Sequence, residues 1–354
     1  ERLRASMREG DTIVRTGGCD ATVARLGGDE FVVVLPDVHS EGDVARVARR
    51  ILEVLSGNFE VRGHDLFVSA SIGISLYPRD GTDVQTLLKN ADSAMYRVKE
   101  GGRGNFQFYS PAMNEKAYAR LSMENALRRA LERGELLLHY QPQVDLKTGH
   151  ISGVEALARW RSPELGDVSP ADFIALAEET GLIVPLGEWV LRTACSQVRA
   201  WQASGLPHVR LAVNLSARQF RQRELAETIA QILEETGLEP KYLTLELTET
   251  VLMEDSDNVG QIMRRLKDLG VRFALDDFGT GYSSLGYLKR FSIDEVKIDR
   301  SFVQKITSNP ENAAITLAII GMAQSLNLRV VAEGVETEGQ LGYLRRHLCH
   351  EIQG

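Results

Sequence analysis

Residues 271–279 read VRFALDDFG. Four apolar side chains crowd into five positions, then two adjacent acids, Asp276 and Asp277, break the run ahead of a glycine. A short apolar run of this kind is a strand buried on both faces, as in a parallel sheet. The same phrase recurs on either side of it: LLLHYQPQV (136–144), ISGVEALARW (151–160), VRLAVNLS (209–216), LTLELTE (243–249), DEVKID (294–299), LRVVAEGVE (328–336) and HEIQG (350–354). Stretches with helical spacing separate most of them, the longest over 171–204. Eight strand candidates alternating with helices over about 220 residues predict an α/β domain with a parallel sheet, closed as a (β/α)8 barrel.

The polar residues fall where these runs break. They are Glu155, Asn214, Glu246, Asp276, Asp277, Lys297 with Asp299, Glu333 and Gln353. In such a barrel the carboxyl ends of the strands share one mouth, where active sites sit. Five carboxylates there, Glu155, Glu246, Asp276, Asp277 and Glu333, cost too much to bury unpaired. Hard divalent cations, Mg²⁺ or Mn²⁺, take oxygen ligands from such a set. Adjacent acids such as Asp276 and Asp277 can reach two ions, an arrangement suited to phosphodiester hydrolysis. Lys297 can hold the attacking water or stabilise phosphate charge, and Arg159, four residues past Glu155, can clamp phosphate as a planar fork. Taken singly, each acid also reads as a helix cap or loop residue, Glu333 before VETEGQ being one example, and Asn214 also reads as a turn former.

The first third has another grammar. Gly-Gly-x-Asp/Glu occurs twice, at Gly17-Gly18-Cys19-Asp20 and at Gly27-Gly28-Asp29-Glu30. The second copy lies between VARL and FVVVLPD, so 23–37 predicts a hairpin whose turn needs positive φ. The first copy, with no apolar run after it, predicts a loop or an extension of the hairpin arm. A helix over 41–57, a hairpin-like pair in FEVRGHDLFVSASIGISLYP, and a helix, Gly-rich turn and strand in DVQTLLKNADSAMYRVKEGGRGNFQFY follow. The expectation is an α+β domain of antiparallel strands over 1–107, a helical connector over 108–133, and the barrel over 134–354.

Of the 354 residues, 43% are hydrophobic and 25% charged, with a net charge of −8. That balance excludes a general DNA or RNA binder, while a single nucleotide ligand remains open. Cys19, Cys195 and Cys349 are far apart and odd in number. They predict unpaired thiols in a reducing, cytoplasmic compartment. No apolar run reaches the ~18–20 residues of a membrane span. The chain opens at Glu1 without Met, so a longer parent, with membrane or sensor segments upstream, is the expectation.

At these residues the chain closely resembles the GGDEF–EAL composite proteins of bacterial cyclic di-GMP signalling. RLGGDEF (25–31), SIGIS (71–75) and ADSAMYRVKEGGRGN (91–105) look like the GGDEF domain. VEALARW (154–160), NLSARQF (214–220), LELTET (245–250), DDFGTGYSSL (276–285), VKIDRSF (296–302), VVAEGVET (330–337) and IQG (352–354) look like the EAL domain. The resemblance implies a TIM-type barrel, its first strand antiparallel to the rest, that cleaves cyclic di-GMP to pGpG with two Mg²⁺ or Mn²⁺ ions. It implies Glu155, Asn214, Glu246, Asp276, Asp277 and Glu333 as metal ligands, with Glu155, Lys297 and Glu333 catalytic. Gln141, Arg159 and Gln353 would contact substrate, and Glu249 would steady the loop after the Asp pair, a loop tied to homodimerisation. None of these residues is missing, which argues against a barrel that only binds cyclic di-GMP.

In the first domain the resemblance implies the signature turn Gly27-Gly28-Asp29-Glu30, with Asp29 as a metal ligand and Lys99 and Arg103 as triphosphate contacts for GTP. An upstream Asp and the guanine-reading residues are not found before Glu1, so the GGDEF domain reads as N-terminally truncated and its role as regulatory. The barrel reads as C-terminally truncated at Gly354. A bifunctional chain with cyclase activity would need the missing front half. An RxxD product site is matched in form by Arg8–Asp11, but it stands 6 positions before Gly17 and 16 before Gly27. The duplication displaces it, or else the copy at Gly17 loops out and leaves Arg8 in place.

Overall fold

A computed structural model of the chain describes residues 12–16, 19–61, 64–102, 104–249, 251, 256–279 and 291–354. It divides into two compact units, Glu1–Ser122 and Met123–Gly354.

In the first unit, β1 (Thr12–Thr16), β2 (Cys19–Gly27) and β3 (Glu30–Val34) form an antiparallel sheet. β2 and β3 meet at Gly27↔Glu30, and Gly28 takes φ +53° in the turn. The hairpin expected at the second Gly-Gly copy is therefore present. Of the two readings of the first copy, loop or extension of the hairpin arm, Cys19 and Asp20 follow the second, pairing with Thr16 and Arg15. Ladder bonds are made by backbone, so a neighbouring strand can extend a segment that lacks an apolar run. Gly17, Gly18 and the Arg8–Asp11 motif lie outside the described residues.

β4 (Asn58–Val61) and β5 (His64–Phe67) make the next hairpin. β6 (Ile72–Ile74) and β7 (Phe106–Phe108) instead pair parallel, against the antiparallel expectation. A parallel pair needs a long crossover, and the helix Val84–Glu100 provides it, opened by the Asp83 side chain accepting from the Thr86 amide. Gly73 permits the close approach of helix to strand: a β-carbon there would stand 1.9 Å from the Ala91 carbonyl oxygen and 2.3 Å from the Met95 nitrogen. Both are backbone atoms and cannot swing away. Gly73→Ala is therefore expected to cost about 3 kcal/mol or more. Amide-exchange protection of Val84–Glu100 should fall while the barrel strands keep theirs, and unchanged protection in the helix would refute this packing.

The helix Pro111–Arg133 runs into the second unit, where Ala126, Leu127 and Ala130 are buried in the barrel's core cluster. Eight strands close the barrel in the order β9 (Ile151–Ser162), β11 (Arg210–Asn214), β12 (Leu243–Thr248), β13 (Arg272–Phe278), β14 (Glu295–Ile298), β15 (Arg329–Glu333), β16 (Glu351–Gln353) and β8 (Leu136–Asp145). β8 pairs back onto β9, and β10 (Gly166–Val168) pairs antiparallel with the last three residues of β9, Trp160–Ser162. The first strand, β8, is antiparallel to both neighbours, while the strands from β9 to β16 run parallel. Among the described residues no helix is long and apolar enough to cross a membrane.

Candidate active site

Strand and helix signals at the ends of β11 and β15 decide between cap and ligand for two residues. After β11, the helix Ala217–Phe220 is capped by Ser216 with Gln219 in a reciprocal box, not by Asn214. After β15, Thr337 and Gln340 form the same device, not Glu333. Both side chains are thus released for the barrel mouth. Asp299 is the opposite case: it caps the helix Arg300–Val303, accepting from Ser301.

The expectation that the acids sit at strand ends is only partly met. Asn214, Glu333 and Gln353 close their strands, but Glu155 is the fifth of twelve residues in β9 and Glu246 the fourth of six in β12. They point into the barrel below the rim, 4% and 1% exposed. Lys297, on β14, is 1% exposed, and its ammonium is the hub. Its Nζ lies 2.7 Å from Glu333 Oε1, 2.8 Å from Glu246 Oε2, 3.2 Å from Glu155 Oε2 and 3.3 Å from Asp276 Oδ1.

Amides complete the shell. Asn214 Nδ2 donates to Glu155 Oε1 at 2.7 Å, and Gln353 Nε2 donates to Glu155 Oε2 at 2.6 Å and to Gln141 Oε1 at 3.0 Å. Gln141 stands directly opposite Glu155 in the β8–β9 ladder. Asp277 takes φ +53° as the chain leaves β13, its amide donating to Asp276 Oδ1. The Gly279 amide donates to Glu249 Oε1 at 3.1 Å, which ties the root of the following loop to the end of β12.

One ammonium cannot neutralise four carboxylates, and the titration behaviour reflects the shortfall. Burial works against the Lys297 charge, but the four acids outweigh it and hold the lysine well above its ordinary value. Glu155 is also penalised by burial, yet Lys297 and the Gln353 and Asn214 amides hold it below the usual carboxylate range. Glu246 is pushed far up by burial and by Glu155 and Asp276, against the pull of Lys297. Burial, with Asp276 and Glu155 adding to it, brings Glu333 up to about 7. Asp277 is raised by burial, by Asp276 and by a hydrogen bond with Asp299.

The donor set is chemically suited to a hard cation. The acids already hold a cationic group, the lysine ammonium, and Glu246 Oε1 is buried without a hydrogen-bond partner. Among the described residues no group of three or more acids, cysteines or histidines is arranged to hold a metal ion.

Of the predicted residues, Glu155, Glu246, Asp276, Lys297, Glu333, Asn214, Gln353 and Gln141 come together in one bonded cluster, and Asp277 and Glu249 hold the adjoining loop root. Arg159 donates to the Ala158 carbonyl and shows no bond to the cluster. In the first unit, Asp29 and Glu30 are exposed at the hairpin, Lys99 is exposed in the last turn of its helix, and Arg103 lies outside the described residues. Two residues were missed. Asp299, named only as closing its run, faces Asp277. Gln143, 1% exposed, donates to Gln353 Oε1 at 3.1 Å. Its only trace in the sequence is a polar residue two positions after Gln141, on the same strand face.

A family model described as EAL domain matches residues 124–354, and one described as diguanylate cyclase, GGDEF domain, matches residues 1–105. A bifunctional diguanylate cyclase/cyclic di-GMP phosphodiesterase, MucR of Pseudomonas aeruginosa, is 45% identical over the whole chain, which covers 50% of that relative. The cyclic di-GMP phosphodiesterase NbdA of the same organism is 42% identical, again over the whole chain and over 44% of its own length. The chain thus spans about half the length of these curated relatives. A solved structure of the PaMucR phosphodiesterase in complex with c-di-GMP is 48% identical with a TM-score of 0.64, covering 66% of this chain and 94% of that one. The chain belongs to the EAL domain family, its barrel preceded by a GGDEF domain.

Proposed function

We propose that the barrel hydrolyses cyclic di-GMP to linear pGpG, with the GGDEF half as a regulatory module. The observation that carries this reading is the buried cation site at the barrel mouth, where four carboxylates of four strands gather on Lys297 beside three amides. Glu155, Asn214, Glu246, Asp276, Asp277 and Glu333 would hold two Mg²⁺ or Mn²⁺ ions, with Asp299 beside Asp277 as an added oxygen donor. Bound there, such ions supply charge neutralisation for the phosphate and a water made acidic enough to attack at neutral pH. Lys297 orients that water, Gln141, Arg159 and Gln353 meet the substrate, and Glu249 restrains the loop through the Gly279 amide. The MucR and NbdA names and the c-di-GMP complex of the PaMucR phosphodiesterase support the choice of substrate.

GTP is the partner suited to Asp29, Lys99 and Arg103, and a homodimer through the EAL domain and a cytoplasmic setting belong to the same reading. The test is product analysis with cyclic di-GMP and Mg²⁺ or Mn²⁺. Wild type should yield pGpG. Glu155→Ala should lower the rate by roughly a hundredfold or more, the usual scale for losing a group that acts in the transition state. Asp29→Ala should leave the basal rate unchanged. Hydrolysis that survives Glu155→Ala would overturn the metal assignment.

A further inference from the structure

The amide of Gln353 has a direction, and chemistry sets it. Glu155 is an acceptor, so the Gln353 NH₂ group must face it, and the Gln353 carbonyl must then face away. What it faces is the Gln143 NH₂ group, at 3.1 Å. Gln143 is itself buried and has room only because residue 153 is glycine: a β-carbon there would stand 2.5 Å from Gln143 Oε1. Gln143 and Gly153 are paired across β8 and β9, at the edge of a register shift between Gln143 and Val144. The chain Gln143 → Gln353 → Glu155 thus runs across the seam where β8 closes on β16 and β9.

We propose that Gln143 is a positioning residue for the reaction: it fixes the rotation of the Gln353 amide, and so the donor that Glu155 meets at the barrel mouth. The proposal rests on the phosphodiesterase reading. The Gln143 side chain bonds Gln353 rather than any of the proposed metal ligands. Without it the buried Gln353 carbonyl has no partner at that end, and the amide is held at its NH₂ end alone, free to swing out of the plane that aims this donor at Glu155.

The experiment is a double-mutant cycle in the 354-residue chain, with Gln143→Met, Gln353→Met and the pair together. Three quantities are read: kcat and KM for cyclic di-GMP, the Mn²⁺ dissociation constant by calorimetry, and the melting temperature. Gln143→Met should lower kcat roughly 10- to 100-fold, the scale of a misplaced active-site group. KM should change far less. In the Gln353→Met background the same substitution should add nothing, because its effect passes through Gln353. Losses that multiply, or a wild-type kcat in Gln143→Met, overturn the proposal. Gly153→Ala offers a second route. It crowds Gln143 while keeping both amides, and it should lower kcat in the same direction. If the wild type itself yields no pGpG, the functional reading fails, and the Mn²⁺ isotherms decide about Gln143 alone. Weaker binding in Gln143→Met and in Gln353→Met, without further loss in the pair, supports it; equal uptake in every form overturns it.

Discussion

Replacing Lys297 by methionine is expected to cost about 3–5 kcal/mol of stability at pH 8 and to abolish hydrolysis. The lysine is 1% exposed, and four carboxylate oxygens lie within 3.3 Å of its Nζ. Methionine fills a similar volume but leaves Glu155, Glu246, Asp276 and Glu333 without their counter-charge. Such acids escape the penalty by taking up protons, so the loss must depend on pH. A carboxyl whose folded pKa lies above its unfolded value keeps its stability at low pH and loses it as pH rises through the folded value. For Glu333 that window already runs from 4.5 to about 7 with the lysine in place. Removing the ammonium moves the upper edge higher. The variant should therefore lie close to wild type near pH 4.5 and fall away toward pH 8. Divalent cations should restore part of the loss, since a ligand bound only by the folded state adds about 2.7 kcal/mol at a hundredfold excess over its dissociation constant. Urea titrations at the two pH values, with and without Mn²⁺, test this. A variant as stable as wild type at pH 8 and indifferent to Mn²⁺ would mean that the acids are not held by the lysine.

The barrel and most of its site were legible because burial and charge conflict so visibly in these strands. An acid that breaks an apolar run, as in ALDD or VVAE, has no cheap explanation, and repetition over five runs makes capping a poor account of all of them. The structure places the caps on Ser216 and Thr337, two positions past Asn214 and four past Glu333. Depth was not legible. Glu155 and Glu246 lie within their strands because a barrel interior admits side chains from more than one layer, and an acid in mid-strand looks in sequence like one at its end. The parallel pairing of β6 with β7 was also hidden, since strand direction is set by the crossover helix and its packing at Gly73 rather than by the strands' own residues. Gln143 was missed for a different reason. It belongs to β8, the antiparallel seam strand, where polar residues alternate as they would on any half-exposed strand, and only closure of the barrel turns that face inward.

The far end of the barrel shows how the same chain spends charge on structure, and Glu351→Gln should expose it, costing about 3–5 kcal/mol without changing the arrangement of the mouth. Glu351 opens β16 and is 0% exposed. It accepts a hydrogen bond from Arg210, which opens β11, and forms an ion pair with Arg329, which opens β15. Glu295, which opens β14, lies 3.9 Å from Arg210 and 3.8 Å from Arg329. Four strand starts are thus joined by two acids and two guanidinium groups at the amino ends of the parallel strands. Burial lowers the Arg329 pKa, and the nearby charges of Arg210 and Arg272 add to it. The arginines therefore repel one another once an acid is removed. Glutamine keeps the volume and one acceptor oxygen but supplies no charge, so Glu295 would face both guanidinium groups, with Asp145 near Arg329 only. Arginine stays charged at any accessible pH, so loss of a proton offers no escape to match the proton uptake open to the acids of the mouth. The destabilisation should persist from pH 6 to pH 8, in contrast to Lys297→Met, and Mn²⁺ should not relieve it preferentially. Residual folded protein should keep the wild-type KM for cyclic di-GMP. Denaturant melts at both pH values, with kcat and KM of the folded fraction, separate the two ends of the barrel. A Glu351→Gln chain of wild-type stability would show that the remaining acids, Glu295 and Asp145, satisfy both arginines, and that closure at this end depends on packing rather than on the Glu351 charge.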